Sequence, residues 1–230
     1  MAKRAPQQDR AIRTRRRILL AAASSFADLG YDKATIEDIT RRAGVTKGSL
    51  YFHFKNKDEL ACAVLDAQLE DISVPPQDLK LQELVDSGYL LAMALLSDPI
   101  QRGATRLALD QGTSHLDRAK SMNLWGEFVE SMLTEARKRG EIFGSVHIPH
   151  IAELFVACFA GIQNQSNAKT NRQDLSLRLT VFWDTVLRAI TRDDIFKQLS
   201  IYESRANEVA DQIAILASSQ PCDSSVDASH

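Results

Sequence analysis

Two helix-start signals on either side of one glycine constrain the fold of this chain more than any other feature. In the segment TIEDITRRAGVTKGSL, Thr35 precedes Asp38 at the spacing of a capping box, which predicts a helix over about 36–43. Gly44 then follows Ala43, the last residue of the predicted helix, and glycine at this position commonly ends a helix in a tight turn. A second short helix is predicted over about 46–52, with its first residue, a threonine, as the cap. The segment therefore predicts two helices joined by a glycine turn, the helix-turn-helix pattern.

Helical signals continue along the rest of the chain and predict an all-α fold. Only six prolines and ten glycines occur in 230 residues, so few helix breakers interrupt the pattern. A first helix is predicted over about 10–29, and Asn56 caps another that runs to about Ser73. Two prolines in the segment VPPQ, at 74–77, then break the chain. Further helices are predicted over about 78–97, 99–110, 116–139, 149–166, 174–190 and 194–218.

Charge divides the chain into a basic end and an acidic remainder. Residues 1–60 carry 13 Lys and Arg against 7 Asp and Glu, whereas the other 170 residues carry 15 against 23. This asymmetry favours a head that binds an anionic partner and a body that binds something else. We therefore predict a flexible N-terminus at 1–9, a helix-turn-helix head at 10–55, a helical body at 56–218 and a disordered tail at 219–230.

The second helix of the pattern carries side chains that suit a DNA major groove. In such a motif, the N-terminal residues of the recognition helix reach base edges while neighbouring groups hold phosphates. Leu50 and Phe54 can anchor the helix to the core, which leaves polar tips pointing outward. Lysines at the next helix N-terminus oppose its macrodipole, a conflict that a phosphate would remove. The candidate DNA contacts are Thr46, Lys47, Gly48, Ser49, Tyr51, His53, Lys55 and Lys57.

Several other classes of protein and site are disfavoured by the sequence. Three cysteines without a CxxC pair favour reduced thiols in a cytoplasmic protein. The apolar run at 18–23 is shorter than the roughly 7–15 residues of a signal-peptide core, and no stretch approaches the roughly 18 of a membrane span. His147 and His150 lack a third metal ligand at a sensible spacing. No phosphate-binding loop or nucleophile–base motif is present, so neither an enzyme nor a cofactor is expected.

The segment TIEDITRRAGVTKGSLYFHFKNKDEL resembles the DNA-binding segment of TetR-type transcriptional repressors. The resemblance is dense over about residues 13–62. It implies a three-helix DNA-binding head, an all-helical body that binds a ligand, and a homodimer formed mostly by two C-terminal helices. Family members contact DNA through positions that match the candidates named above except Lys55. Common phosphate contacts of the family match Thr14 and Thr35.

Within that family, the body is similar to the γ-butyrolactone autoregulator receptors of actinomycetes, through the segments LACAVLDAQ, LWGEF and CFAGIQ. This resemblance implies that Gln68 and Trp125 line a ligand cavity. Those receptors commonly place a threonine in the segment aligned with FAGIQ, where Ala160 and Ile162 carry no hydroxyl here. The ligand class therefore stays open among butyrolactones, furans, butenolides and other signalling molecules.

Two of the candidate ligand contacts, Trp125 and Gln163, have a second interpretation. Trp125 lies on an apolar helical stripe and could be a core residue. Tyr89 lies on a leucine-rich helix, where a buried hydroxyl would need a partner. Gln163 could bond a ligand or lie at the edge of a dimer interface. The predicted ligand contacts are Gln68, Tyr89, Trp125 and Gln163.

Two unusually apolar helices predict the dimer interface. A helix that is apolar over most of its circumference must bury two faces, one against its own body and one against a partner. The stripes within 151–162 and 179–190 have this character. The interface is predicted to contain Ile151, Phe155, Phe159, Phe182 and Val186.

The sequence favours a dimeric repressor that binds an inverted-repeat operator in double-stranded DNA and is released by a small molecule. The alternatives are a helical enzyme or carrier with a basic head, and a DNA-binding architectural protein without a ligand. The small-residue helix-turn-helix disfavours the former, and the long acidic body disfavours the latter. A drug-sensing repressor of an efflux gene remains the alternative within the same family. No membrane partner is expected.

Overall fold

All regular elements in the described part of the chain are helices, which confirms the all-α prediction. The computed structural model describes residues 4–69, 74–110, 113 and 116–219. The predictions for the first three residues, for the stretch just before VPPQ and for the tail beyond Ser219 lie outside these ranges. None of the described helices is both long and apolar enough to cross a membrane. The helices are α1 (Arg4–Leu29), α2 (Ile36–Ala43), α3 (Lys47–His53), α4 (Lys57–Asp66), α5 (Lys80–Ser97), α6 (Pro99–Leu109), α7 (Arg118–Lys138), α8 (Ile148–Thr170), α9 (Leu175–Ile190), α10 (Asp193–Phe196) and α11 (Arg205–Ser219), and a 3₁₀ turn (Ala67–Leu69) follows α4.

Side-chain caps set the starts of α2 and α3 as the sequence predicts. Thr35 Oγ1 accepts a hydrogen bond from Asp38 N at 3.1 Å, and Asp38 Oδ2 accepts one from Thr35 N at 3.3 Å. Gly44 adopts φ 61°, a left-handed conformation that glycine enters without strain. Thr46 Oγ1 then accepts from Ser49 N at 3.1 Å, which starts α3. The helix-turn-helix prediction is confirmed.

The first helix begins at Arg4 rather than at the predicted Arg10. Pro6 lies in the first turn, where a backbone N–H would have no intrahelical acceptor. The absence of this N–H in proline therefore does not weaken the helix. The Arg, Ala and Gln residues around it are good helix formers. The N-terminal segment predicted to be flexible is therefore helical from Arg4 onward.

The single helix predicted over 194–218 is instead two helices, α10 and α11. Between them, Ser200 N donates to Gln82 Oε1 of α5 at 2.7 Å. At the start of α11, Arg205 donates to both carboxylate oxygens of Asp86, at 2.9 and 2.7 Å, and both side chains of this ion pair are buried. Leu199 packs against the body core. These tertiary contacts override the helical propensity of the connecting segment.

The buried apolar residues form two clusters, one in the head and one in the body. The body cluster draws on α5, α7, α8, α9 and α11. The head cluster draws on α1 to α4 and also on Ile100, Ala104 and Leu107 of α6. The domain boundary predicted between residues 55 and 56 therefore does not separate the two cores, because α4 and α6 pack with the head.

The sixth helix lies directly against the backbone of α1. An added Cβ at Gly103 would lie 2.4 Å from Ala23 O, so the approach of the two helices requires glycine at this position. Arg106 Nη1 donates to Ala27 O at 2.8 Å and to Asp28 O at 3.1 Å. α6 is thereby attached to the C-terminal end of α1.

Candidate DNA-binding surface and ligand cavity

The third helix has one buried and one exposed face, as expected of a recognition helix. Leu50 and Phe54 are buried in the head, whereas Tyr51 is 51% exposed and Phe52 is 80% exposed. The Phe52 ring lies edge-on to His53, with the ring centroids 5.1 Å apart. Phe52 is not among the predicted contacts, although a helical position two residues from both anchors opposes the buried face. The exposed face of α3 is therefore more aromatic than predicted.

Lys47 has an acidic partner on the same surface. Its Nζ lies 2.5 Å from Glu37 Oε1, and both side chains are exposed. The hydrogen bond between them lowers the pKa of Glu37 and raises the pKa of Lys47. Because an exposed ion pair contributes little to stability, a DNA phosphate can replace Glu37 as the partner of Lys47.

The two lysines after α3 are used differently. Lys55 is exposed beyond the end of the helix. Lys57 Nζ donates to Tyr31 O at 2.8 Å and to Ala34 O at 3.1 Å, and it lies 4.2 Å from the centroid of the Tyr31 ring. This ammonium fastens the start of α4 to the loop between α1 and α2. A phosphate contact by Lys57 would require some of these contacts to be exchanged.

The remaining predicted contacts lie near the starts of α2 and α3. Thr35 and Thr46 are exposed and cap the two helices. Ser49, at the other end of the α3 capping bond, is half-buried. An added Cβ at Gly48 would meet only Thr46 Oγ1, at 3.9 Å. Packing within the head therefore does not require glycine at position 48. The small size of Gly48 changes only the shape of the exposed surface.

An open groove between α1 and the α2–α3 pair extends the exposed face of α3. Its wall combines predicted contacts, among them Thr14, with arginines that are not in the predicted set. Arg17 Nη2 donates to Ala43 O at 2.6 Å, which fixes that guanidinium at the groove. The recurrence of arginine at helical spacing in RAIRTRRR is the sequence signal for this stripe. The groove arginines are Arg10, Arg13, Arg17 and Arg41.

The body contains a mainly apolar cavity of about 120 Å³ between α5, α6, α7, α8 and α9, with the 3₁₀ turn at its side. Three of the four predicted ligand contacts, Gln68, Trp125 and Gln163, belong to its wall. Such a cavity, apolar with a few convergent polar groups, has the usual character of a small-molecule site. Its aromatic wall consists of Trp125, Phe128, Phe155, Phe159, Phe182 and Trp183.

Gln68 organises the polar side of the cavity. Its Oε1 accepts a hydrogen bond from Trp125 Nε1 at 3.2 Å. Its Nε2 donates to Leu65 O at 2.9 Å and to Ser121 Oγ at 2.7 Å. The amide is thus held between α4 and α7. A ligand that accepts a hydrogen bond from Gln68 Nε2 or Trp125 Nε1 must displace one of these partners, whereas Gln68 Oε1 keeps a second lone pair for a ligand donor.

Trp183 is a cavity residue that the sequence did not identify as a ligand contact. Its Nε1 is buried and has no hydrogen-bond partner within the described structure. An added Cβ at Gly88 would lie 2.7 Å from Trp183 Cζ2, so the indole requires glycine opposite it. A buried donor without a partner costs free energy. An acceptor on a ligand would remove that cost.

Tyr89, the fourth predicted ligand contact, is not part of the cavity wall. Its side chain is fully buried, and its hydroxyl oxygen lies 2.8 Å from Thr180 Oγ1, at hydrogen-bond distance. Burial raises the pKa of the phenol. The hydroxyl therefore finds its partner within the body, between α5 and α9.

The predicted dimer residues divide between the inside and the outside of the body. Phe155 and Phe182 are buried, with ring centroids 5.4 Å apart, and together with Phe159 they line the cavity. Phe155 and Phe182 thus face inward, contrary to the prediction, because α8 and α9 are apolar on both sides, whereas Phe159 is half-buried. Ile151 and Val186 are half-buried. The large exposed apolar side chains on the two helices are Leu154, Leu177 and Val181.

Known proteins share both the head and the overall fold. Residues 18–64 match the family of bacterial regulatory proteins described as the tetR family. The A-factor receptor protein of Streptomyces griseus is 37% identical over 199 residues, which cover 84% of this chain and 69% of that relative. The structure of TylP, a TetR regulator from Streptomyces fradiae, has 37% identity and a TM-score of 0.83, over 88% of this chain and 98% of TylP. A solved γ-butyrolactone receptor described as ArpA-like has 25% identity and a TM-score of 0.60, over 88% of this chain and 98% of that one. This chain therefore belongs to the TetR family of bacterial regulators, which are DNA-binding proteins rather than enzymes.

Proposed function

We propose that the chain is a dimeric cytoplasmic repressor that binds an inverted-repeat operator in double-stranded DNA and leaves it when a small signalling molecule binds. The observation that carries the proposal is that α6 contributes both to the head core and to the cavity wall. A ligand in the cavity therefore contacts an element that is attached to α1 of the head. The likeness to the A-factor receptor and the γ-butyrolactone receptor supports a ligand of butyrolactone, furan or butenolide type.

The head supplies two kinds of DNA contact. The exposed face of α3, with Tyr51 and His53, suits base edges in a major groove. The arginine groove beside it suits the phosphate backbone, because guanidinium groups bind phosphates in a bidentate manner. In a symmetric dimer, two copies of this surface read half-sites roughly 34–36 Å apart.

Exposed apolar side chains on α8 and α9 support the dimer. Leu154 is 44% exposed, Leu177 is 49% exposed and Val181 is 61% exposed. The opposite faces of both helices are buried in the body. A second copy of the chain would cover the outer faces and form a seam of four helices.

Release from DNA requires a ligand that prefers the arrangement unable to bind the operator. Moving the population from about 99% competent to about 1% needs roughly a 10⁴-fold preference, or about 5.5 kcal/mol. Burial of apolar ligand surface contributes about 25 cal/mol per Å². An apolar cavity can therefore supply a preference of this size when it accepts the ligand only in the arrangement unable to bind the operator. Coupling is reciprocal, so operator DNA must weaken ligand binding by the same factor.

The proposal is tested by a gel-shift titration with A-factor as inducer and an operator selected from random-sequence DNA. A-factor should release the wild-type protein. Gln68→Ala and Trp125→Ala should still bind the operator but need at least about tenfold more A-factor, because each removes a polar or apolar contact of the cavity. Tyr89→Phe, which changes a buried hydroxyl outside the cavity, is the control and should respond as wild type. If A-factor releases both cavity variants from the operator at the same concentration as wild type, the ligand binds elsewhere.

A drug-sensing repressor is the second candidate, because six aromatic side chains line the cavity. Flat aromatic drugs stack favourably on such walls. The same gel shift separates the two functions. Release by a planar aromatic antibiotic, together with no release by A-factor, would favour the drug sensor.

A further inference from the structure

A second cavity, of about 420 Å³, lies where the end of α1 meets α6 and α8. In contrast to the apolar cavity, its wall is polar and carries three arginines, Arg102, Arg106 and Arg172, and two amides, Asn164 and Asn167. Asp110 is the carboxylate on the wall. Three cations against one anion give this polar pocket an excess of positive charge.

The polar pocket adjoins the apolar cavity. Thr105 and Leu109 of α6 belong to the walls of both. On the other side, Arg172 of the polar pocket donates from Nη2 to Oε1 of Gln163 in the apolar cavity, at 3.3 Å. The two pockets therefore share a wall at α6, and a ligand that occupies both must pass these side chains and exchange the Arg172–Gln163 hydrogen bond.

The three arginines are satisfied to different degrees. Arg106 donates to the carbonyls at the end of α1, as described above. Arg102 Nη2 lies 3.6 Å from Asp28 Oδ1, a long and exposed pair. Arg172 has no carboxylate partner in the described structure, and its Nε is buried without a hydrogen bond. Burial, followed by repulsion from Arg102, lowers the pKa of Arg172.

The backbone that carries Arg172 is unusual. Asn171 and Arg172 have φ values of 51° and 66°, which place two consecutive non-glycine residues in the left-handed region. Asparagine is common there at the end of a helix, but arginine is not. Arg172 N is held by a hydrogen bond to Ser166 O at 3.3 Å. This turn brings to the pocket a guanidinium that has no carboxylate partner in the described structure, and such strain is often kept at functional sites.

We infer that the protein binds an amphiphilic carboxylate, with its apolar part in the aromatic cavity and its carboxylate against Arg172 and Arg102. The planar carboxylate matches a guanidinium in bidentate geometry and would supply the missing acceptor for Nε. The Asn164 and Asn167 amides can donate to the same group. A neutral lactone of similar size would leave Arg172 without a carboxylate partner. This inference refines the ligand class of the proposed function and rests on it for the role of the apolar cavity.

The test uses octanoate as the acidic probe and methyl octanoate as the neutral one. Both tryptophans of the chain, Trp125 and Trp183, line the apolar cavity, so intrinsic fluorescence reports its occupancy directly. Wild type should bind octanoate about tenfold more tightly than the ester. Arg172→Gln should weaken octanoate binding by about tenfold or more and leave ester binding unchanged, which also shows that the variant is folded. Arg102→Gln should weaken octanoate binding in the same direction.

The control variant is Arg139→Gln, which removes an exposed arginine that pairs with Glu135 at the end of α7. It should bind both probes as wild type. Equal affinity of wild type for acid and ester, unchanged octanoate binding by Arg172→Gln, or no fluorescence response to either probe would overturn the inference. A parallel gel shift with A-factor separates the two proposals. If A-factor releases the operator while Arg172→Gln binds octanoate normally, the repressor function stands and the carboxylate site fails.

Discussion

Replacement of Gly103 by alanine tests the close packing of α6 against α1. In an ordinary helix interior this change stabilises by about 1 kcal/mol, because glycine loses more conformational entropy on folding than alanine. At Gly103 the new Cβ would lie 2.4 Å from Ala23 O and 2.9 Å from Ala23 Cα, and backbone atoms cannot turn aside. The helices must separate, and such overpacking costs about 1–3 kcal/mol. Subtracting the gain in helix propensity from the cost of overpacking predicts that Gly103→Ala destabilises the protein by up to about 2 kcal/mol.

The matched control is Gly126→Ala in α7, where nothing lies within 4 Å of the added Cβ. This variant should gain up to about 1 kcal/mol. Thermal unfolding by circular dichroism, at one fixed protein concentration, measures both, since 1 kcal/mol moves the midpoint by about 2–4 °C for a chain of this size. The two midpoints should move in opposite directions. An increase for Gly103→Ala equal to that for Gly126→Ala would refute the close α1–α6 contact.

Three further substitutions test the two binding surfaces. Tyr51→Ala should weaken binding to operator more than to random DNA in competition gel shifts, and equal losses would mean that Tyr51 only positions the backbone. Lys57→Ala should weaken binding to all sequences and lower the unfolding midpoint, because its ammonium holds the Tyr31 and Ala34 carbonyls; an unchanged midpoint would show that these contacts do not support the head. Val181→Glu should produce monomers in analytical ultracentrifugation, because a buried unpaired charge costs several kcal/mol, whereas the control Val181→Thr stays dimeric. A Val181→Glu dimer of wild-type stability would place the interface on another face.

Local signals made the head more predictable than the body. Thr35, Gly44 and Thr46 act within three or four residues of their own positions, so spacing alone reveals the helices that they start and end. The break between α10 and α11 depends instead on Ser200 bonding Gln82, 118 residues away in the sequence. No local sequence pattern indicates that contact, and the sequence therefore predicts one continuous helix for this segment.

The cavity could be predicted only in part, for a different reason. The resemblance predicts Gln68 and Trp125 as cavity residues, but only the structure shows the hydrogen bond between them. Phe155 and Phe182 lie on helices that are apolar on both sides, and periodicity cannot tell which side faces a partner. The position of Arg172 depends on a left-handed backbone conformation at a non-glycine residue, and neither composition nor periodicity predicts such a conformation.

The sharing of α6 between the two cores limits how this regulator can be recombined with its relatives. A chimera joined at the end of α4 would place a foreign α6 against this head, opposite the surface that Ile100, Ala104 and Leu107 cover here. Unless the foreign helix matched that surface, the head would lose the part of its core that α6 supplies here. The packing of the head and the shape of the cavity are therefore coupled through one helix. New ligand specificity is better introduced by substitutions inside the cavity than by exchange of whole bodies.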